Sequence, residues 1–90
     1  MNTWLVYLLQ CRDGSYYCGA TNNIQNRVAT HNKGKGAKYT KTRLPVTLLE
    51  TSKQMLKIDA LKLEYKVKKQ SRKNKLYYLQ KHSNQMLLFE

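Results

Sequence analysis

The chain has 90 residues and carries 17 Lys and Arg against 5 Asp and Glu, a net charge of +12. A chain this short folds as one domain with a modest core, which excludes an elaborate second lobe. So strong a positive charge attracts polyanions, and nucleic acid is the expected partner. With neither a membrane-spanning apolar run nor a secretory signal in the sequence, we expect a cytoplasmic protein that does not engage membranes.

The first two predicted elements are the strands of a β-hairpin. Residues Trp4–Cys11 are almost continuously apolar or aromatic, as in a strand covered on both faces. Arg-Asp-Gly-Ser follows with turn-forming chemistry, and Tyr16–Ala20 returns as the second strand. Cys11 and Cys18 fit neither a zinc spacing nor a disulfide framework, so we interpret both as small hydrophobic residues.

The length of the hairpin loop decides which side chains share a face. A two-residue loop would place Tyr7 and Tyr17 on opposite faces. A three-residue loop with Gly14 in the left-handed conformation pairs Tyr7 with Gly19 and Leu9 with Tyr17. We predict the three-residue loop, which brings both phenols to one face with open space beside Tyr7.

A short helix and a basic loop follow the hairpin. The helix is predicted from about Ile24 to Asn32, with Asn22 or Asn23 as its N-cap and Gly34 at a left-handed C-terminal position. The segment Lys33–Arg43 contains glycines and cations and is predicted as a loop.

The second half of the chain predicts one strand and one long helix. The strand covers Val46–Thr51, and Thr51 or Ser52 would cap a helix that reaches about Gln70. A buried stripe at helical spacing is predicted for that helix. It consists of Leu56, Ala60, Leu63 and Val67.

A final helix is predicted from a cap at Ser71 to about His82, with Leu76 and Leu79 facing inward. Met86–Phe89 is either an added strand or a docked tail. The fold class is therefore α+β, a small three-stranded antiparallel sheet flanked by helices in the order β-β-α-β-α-α. We expect a single domain over residues 1–82 and a tail over 83–90.

Three polar residues lie beside apolar stripes. Arg27 and His31 are four residues apart on the first helix, so they are neighbours and can lean toward the sheet. Glu64 occupies a similar border position on the long helix. With only five acidic residues in the chain, the composition disfavours a carboxylate-rich two-metal site, and a single inward acid suits one divalent cation.

The sequence resembles the GIY-YIG nuclease superfamily, and within it the small stand-alone members of the UPF0213 type. The similarity covers roughly Trp4–Lys75. It rests on the stretches "HNKGKGAKYTKTRLP" and "LEYKVKK" and on the order and spacing of Tyr7 in "LVY", "YCG" at 17–19, Arg27, His31 and Glu64. The first glycine of the motif is replaced by Leu5 and its second isoleucine by Cys18.

The resemblance implies cleavage of phosphodiester bonds with one divalent metal ion, Mg²⁺ or Mn²⁺. It implies that Tyr7 and Tyr17 lie beside the attacked phosphate and that one of them activates water. Arg27 would then steady the phosphate, His31 would orient a tyrosine or the nucleophile, and Glu64 would hold the metal ion.

The basic loop is a candidate nucleic-acid-binding surface. Its glycines allow close approach of the backbone, and exposed amides in such turns bind phosphates. Tyr39 is expected near the site or stacked on a base. The predicted binding residues are Lys33, Lys35, Lys38, Tyr39, Lys41 and Arg43.

Structural explanations exist for each residue alone: tyrosines favour strands, and Glu64 can pair with Lys68 at helical spacing. Taken together, the residues favour a metal-dependent endonuclease acting on DNA. One alternative is a nucleic-acid-binding module on a nuclease-derived fold that does not cut. Another is a ribosome- or RNA-associated basic protein, which a preference for RNA would indicate.

Overall fold

The protein is described by a computed structural model that covers residues 2–83. Along the chain the elements are β1 (Leu5–Gln10), β2 (Tyr16–Thr21), α1 (Ile24–Asn32), α2 (Lys38–Lys41), β3 (Thr47–Thr51), α3 (Lys57–Lys68) and α4 (Arg72–Gln80). The strands form an antiparallel sheet in the order β2-β1-β3, flanked by helices on both faces, as the sequence predicts.

The hairpin has the predicted three-residue loop. The Cys11 N–H donates to the carbonyl of Ser15 at 2.8 Å, and Gly14 has a φ of +85°. This geometry pairs Tyr7 with Gly19 and Leu9 with Tyr17. Both phenols therefore share one face of the sheet, as predicted.

Strand β1 is central and is buried on both faces, which divides the core into two layers. On one face, Val6 and Leu8 pack with residues of α3 and α4. On the other face, Leu9 and its neighbours pack against Ile24 and Val28 of α1. The two cysteines are buried and free, in agreement with their interpretation as small hydrophobic residues.

The long helix begins later than the sequence predicts. Ser52 does not cap it, because the Ser52 hydroxyl accepts the Val6 N–H at 2.9 Å and donates to the Lys53 carbonyl at 2.8 Å. Met55 then pairs with Trp4 beside the sheet, so α3 starts only at Lys57. Leu56 consequently lies outside the buried stripe and is 47% exposed, whereas the remaining members, Ala60, Leu63 and Val67, are buried.

Two other predictions change in detail. The basic loop contains α2, a four-residue helix, so the element order gains one short helix. The last helix ends at Gln80, and the Ser71 side chain makes no capping hydrogen bond. Leu79 is buried in the core and Leu76 packs against it, as predicted. The predicted strand or tail at Met86–Phe89 lies outside the described residues. Within residues 2–83, no helix is long and apolar enough to cross a membrane.

Replacing Gly14 tests the hairpin geometry. In Gly14→Ala, the left-handed backbone should cost about 1–2 kcal/mol of unfolding free energy in urea titrations. The matched variant Gly14→Asn should lose clearly less, because asparagine tolerates this conformation. Equal losses in the two variants would contradict the assignment of the cost to the backbone.

Candidate active site

The two strand tyrosines face the same space at the edge of the sheet. The Tyr7 and Tyr17 ring centroids lie 6.4 Å apart. Tyr7 stands on the central strand and is only 1% exposed, whereas Tyr17 stands on the edge strand and is half-buried. The site therefore combines one buried phenol with one that solvent reaches.

Gly19 makes the room that the Tyr7 hydroxyl occupies. A Cβ atom built at Gly19 would collide with the hydroxyl oxygen and the end of the Tyr7 ring. Any side chain at this position would push the phenol aside. The glycine of the "YCG" stretch is thus required by the position of Tyr7 itself.

Helix α1 brings Arg27 and His31 to the same phenol. The helix starts after Asn23, whose side chain accepts the Asn26 N–H at 3.1 Å. His31 Nε2 lies 3.0 Å from the Tyr7 oxygen, and Arg27 donates its Nε–H to that oxygen at 3.4 Å. The predicted neighbours do lean toward the sheet, and the Tyr7 oxygen is the point where they meet.

The other side of the His31 ring is held by residues that the sequence did not single out. His31 Nδ1 lies 2.9 Å from the Thr40 hydroxyl oxygen, and the Ala37 N–H donates to Nδ1 at 3.4 Å. A Cβ atom at Gly36 would collide with the His31 ring, so a glycine lets this segment approach. Nothing in the polar sequence around α2 marks Thr40, which is completely buried.

Burial sets the protonation of this pair. Burial raises the pKa of Tyr7 above its usual value, although the hydrogen bond and the charge of Arg27 act in the opposite direction. Burial also lowers the pKa of His31, and the nearby charge of Arg27 lowers it further. At neutral pH, Tyr7 is therefore a phenol and His31 is a neutral imidazole.

Tyr39 covers the open side of Tyr17. Their rings are stacked, with centroids 6.2 Å apart and an interplanar angle of 23°. The Arg43 guanidinium lies 3.9 Å from the Tyr39 ring centroid and pairs with Asp13 at 3.1 Å. The hairpin turn thereby fixes the end of the basic loop, and it places Tyr39 near the site as expected.

Glu64 lies in the other helical layer, on α3. Its side chain is 19% exposed and pairs with Lys68 at 2.9 Å. Lys68 lines a pocket of about 220 Å³ together with Tyr17, Tyr39 and Lys75. Glu64 also lies close enough to Cys18 to help burial raise the pKa of that thiol to about 12. The carboxylate is thus beside the edge strand rather than in open solvent.

The donor set near this edge fits a single hard cation. Within residues 2–83, no cluster of three or more His, Cys, Asp or Glu could enclose a metal ion. Mg²⁺ is commonly held by one or two carboxylates, with substrate phosphate oxygens and waters completing its octahedron. One carboxylate is what Glu64 supplies, so the residues fit an ion that shares its coordination with a substrate.

The cations of the basic loop surround Tyr39 on the surface. Lys33, Lys35, Lys38 and Lys41 are exposed, whereas Arg43 is partly covered by its contacts with Tyr39 and Asp13. The lysines add positive potential beside the tyrosines and are free to contact phosphate groups. A further basic cluster lies on α3 and α4. It comprises Lys66, Lys68, Lys69, Arg72, Lys73 and Lys75.

The lowered pKa of His31 makes folding stability depend on pH. As pH falls through the ordinary histidine pKa of 6.5, the unfolded chain takes up a proton that folded His31 resists, so stability should fall as the solution is acidified. Chemical denaturation at several pH values should show that the unfolding free energy changes less with pH in His31→Gln than in the wild type. His82→Gln is the control: it removes only the effect of His82, whose pKa is also lowered. An unchanged pH dependence in His31→Gln would contradict the assignment.

The sequence and fold match one family across the domain. A model of the GIY-YIG catalytic domain matches residues 3–84. A UPF0213 protein of Bacillus licheniformis is 53% identical over 79 residues, which cover 88% of this chain and 81% of that protein. The UPF0213 protein YazA of Bacillus subtilis is 45% identical over 83 residues, covering 92% and 84%. The solution NMR structure of EF2693 from E. faecalis has a TM-score of 0.57 at 36% identity and covers 96% of this chain and 86% of that one. These matches show that the chain belongs to the GIY-YIG nuclease family.

Proposed function

We propose that the protein is a metal-dependent endonuclease that hydrolyses phosphodiester bonds in DNA. The observation that carries this proposal is the convergence of Tyr7, Arg27 and His31 on one oxygen, next to the ring of Tyr17. A buried polar cluster is costly for so small a core. Its position next to Tyr17, which solvent reaches, supports a chemical rather than a packing role.

In this proposal, Arg27 positions the scissile phosphate. Among residues 2–83, its guanidinium is hydrogen bonded only through Nε, to Tyr7. The terminal N–H groups of an arginine form a planar fork that matches two phosphate oxygens. Arg27 would therefore hold the phosphate next to the two phenols.

Glu64 would hold a divalent ion, Mg²⁺ or Mn²⁺, on the other side of the phosphate. Such an ion neutralises negative charge that develops on the phosphoryl oxygens. Glu64 must exchange Lys68 for that ion. The ammonium of Lys68 would then remain beside Tyr17, with which it lines one pocket.

The basic loop would track the DNA backbone away from the cleaved bond. Its four exposed lysines supply charge without a fixed geometry, which suits contact with phosphates rather than reading of bases. The same loop carries Tyr39, so the surface that holds the backbone also borders the site. We favour DNA over RNA as the substrate.

One observation favours a second function, a nucleic-acid-binding module that does not cleave. Glu64, the carboxylate proposed to hold the metal ion, is paired with Lys68 at 2.9 Å. If this ion pair excludes a metal ion, binding would persist without catalysis. The fold and the basic loop would serve both functions equally well.

Cleavage assays separate the two functions. Purified protein is incubated with labelled duplex, single-stranded and branched DNA and with RNA, each with Mg²⁺, Mn²⁺ or a chelator. We expect nicking that requires a divalent ion and falls at least about 100-fold in Glu64→Gln and in Tyr17→Phe. Binding in fluorescence anisotropy should persist in both variants.

Asp59→Asn is the matched control, because Asp59 is the other acid of α3 and lines a separate cleft. It should cleave as the wild type does. Cleavage at the wild-type rate by Glu64→Gln would contradict the metal role. No product from any substrate with either ion would favour the binding module, and stronger binding to RNA than to DNA would favour an RNA-associated protein.

The basic loop predicts the salt dependence of binding. Each phosphate neutralised on duplex DNA contributes about 0.9 to the slope of log affinity against log salt. Lys35→Ala with Lys38→Ala should therefore reduce that slope by up to about 2. Lys53→Ala with Lys62→Ala makes the same change of charge at the separate cleft and should alter the slope less. Equal effects of the two double variants would contradict a specific role of the loop.

A further inference from the structure

The protonation of the His31 ring follows from a donor that cannot turn. The Ala37 backbone N–H is directed at His31 Nδ1, with 3.4 Å between the nitrogens. A hydroxyl rotates to suit its neighbours, but a backbone N–H is fixed by the chain. A proton on Nδ1 would face the Ala37 proton, so this contact favours Nδ1 as the acceptor.

Like the Ala37 N–H, the Thr40 hydroxyl can donate a hydrogen bond to His31 Nδ1. Its oxygen lies 2.9 Å from His31 Nδ1 and 2.9 Å from the carbonyl oxygen of Ala37. That carbonyl already accepts the backbone N–H of Thr40 at 3.1 Å. The hydroxyl is placed to donate to that carbonyl, but its proton can turn to Nδ1 without leaving the carbonyl unpaired, because the backbone N–H still donates there.

This arrangement fixes what the other ring nitrogen does. A neutral imidazole with an unprotonated Nδ1 carries its proton on Nε2. Nε2–H then donates to the Tyr7 oxygen at 3.0 Å, and the Arg27 Nε–H donates to the same oxygen at 3.4 Å. The two lone pairs of the Tyr7 oxygen are used, and its own O–H remains available to the site.

We propose that residues 36–40 act as a tautomer lock, in which Ala37 and Thr40 hold His31 as the Nε2–H form and thereby make Tyr7 a hydrogen-bond donor to the phosphate. Thr40 is a positioning residue, since it acts through His31. The role of the lock in catalysis rests on the nuclease function proposed above. The proposed lock gives the two phenols different tasks: Tyr7 binds a phosphoryl oxygen, and Tyr17 activates water.

Several features support this assignment. Two N–H donors on the Tyr7 oxygen polarise its O–H bond and strengthen it as a donor. Burial keeps Tyr7 protonated and His31 neutral, which is the pair of states that the lock requires. Gly36 lets the backbone pass close to the ring, since any Cβ atom there would collide with His31 Nδ1.

Nitrogen NMR on the full-length chain tests the lock directly. The sequence holds only two histidines, so a ¹⁵N-histidine-labelled sample gives four ring nitrogen signals, and His82→Gln assigns them. At neutral pH we expect His31 Nδ1 in the range of an unprotonated imidazole nitrogen and Nε2 in the range of a protonated one. The opposite assignment would overturn the proposal.

Paired substitutions test the part played by Thr40. Thr40→Val keeps the shape and removes the hydroxyl, so the two His31 nitrogen signals should move toward each other as the second tautomer becomes populated. Thr40→Ser restores the hydroxyl and should restore the wild-type signals. A wild-type pattern in a folded Thr40→Val would overturn the role of Thr40. Should Thr40→Val fail to fold, the comparison of Thr40→Ser with Thr40→Ala serves instead, and the wild-type spectrum still decides the tautomer.

These measurements need no activity, so the two proposals fail separately. The Nε2–H tautomer in a protein that never cleaves would support the lock and contradict the nuclease function. Cleavage by a protein with the opposite tautomer would support the nuclease function and contradict the lock. In an active protein, Thr40→Val should lower kcat with little change in DNA binding, and Thr40→Ser should recover the rate. A fall in DNA affinity with kcat unchanged would overturn the link between the lock and catalysis.

Discussion

The pairing of Tyr7 with Gly19 is the constraint on which the candidate site depends. Only this register leaves space for a phenol hydroxyl between the two strands and the first helix. The register follows from a loop of three residues, with Gly14 in a conformation that other residues resist. A slip of one residue would turn Tyr17 to the opposite face. It would also place a residue with a side chain opposite Tyr7, which would displace the phenol that Arg27 and His31 share. The chemistry of a turn thus determines the geometry of a site at the other end of the hairpin.

The site also depends on the edge strand, because its parts come from both sides of the sheet. Helix α1 supplies Arg27 and His31 on one face, and α3 supplies Glu64 on the other. At the edge formed by β2, Lys68 of α3 and Tyr39 of the basic loop line one pocket with Tyr17. In a chain of charge +12, a lone acid at that edge is surrounded by cations.

Much of this geometry is predictable from local chemistry. The turn residues determine the loop length, and strand alternation then brings Tyr7 and Tyr17 to one face. Helical spacing places Arg27 and His31 together. The start of α3 was not predictable, because Ser52 and Met55 have local capping or helical preferences that tertiary contacts with the sheet override. Helix α2 is too short and polar to show periodicity, so the contact of Thr40 with His31, nine residues away in sequence, has no local signal.

The buried chain from Tyr7 through His31 to Thr40 links the function of this domain to its stability. Each of its polar atoms has a partner, and within the described residues no buried side-chain nitrogen or oxygen lacks one. Removing any member leaves another group buried and unsatisfied, which costs about 1–3 kcal/mol. For a domain whose total stability is about 5–15 kcal/mol, that is a large share. Loss of activity in a site variant therefore has two physical origins, and only substitutions that conserve shape and alter a single hydrogen bond separate them.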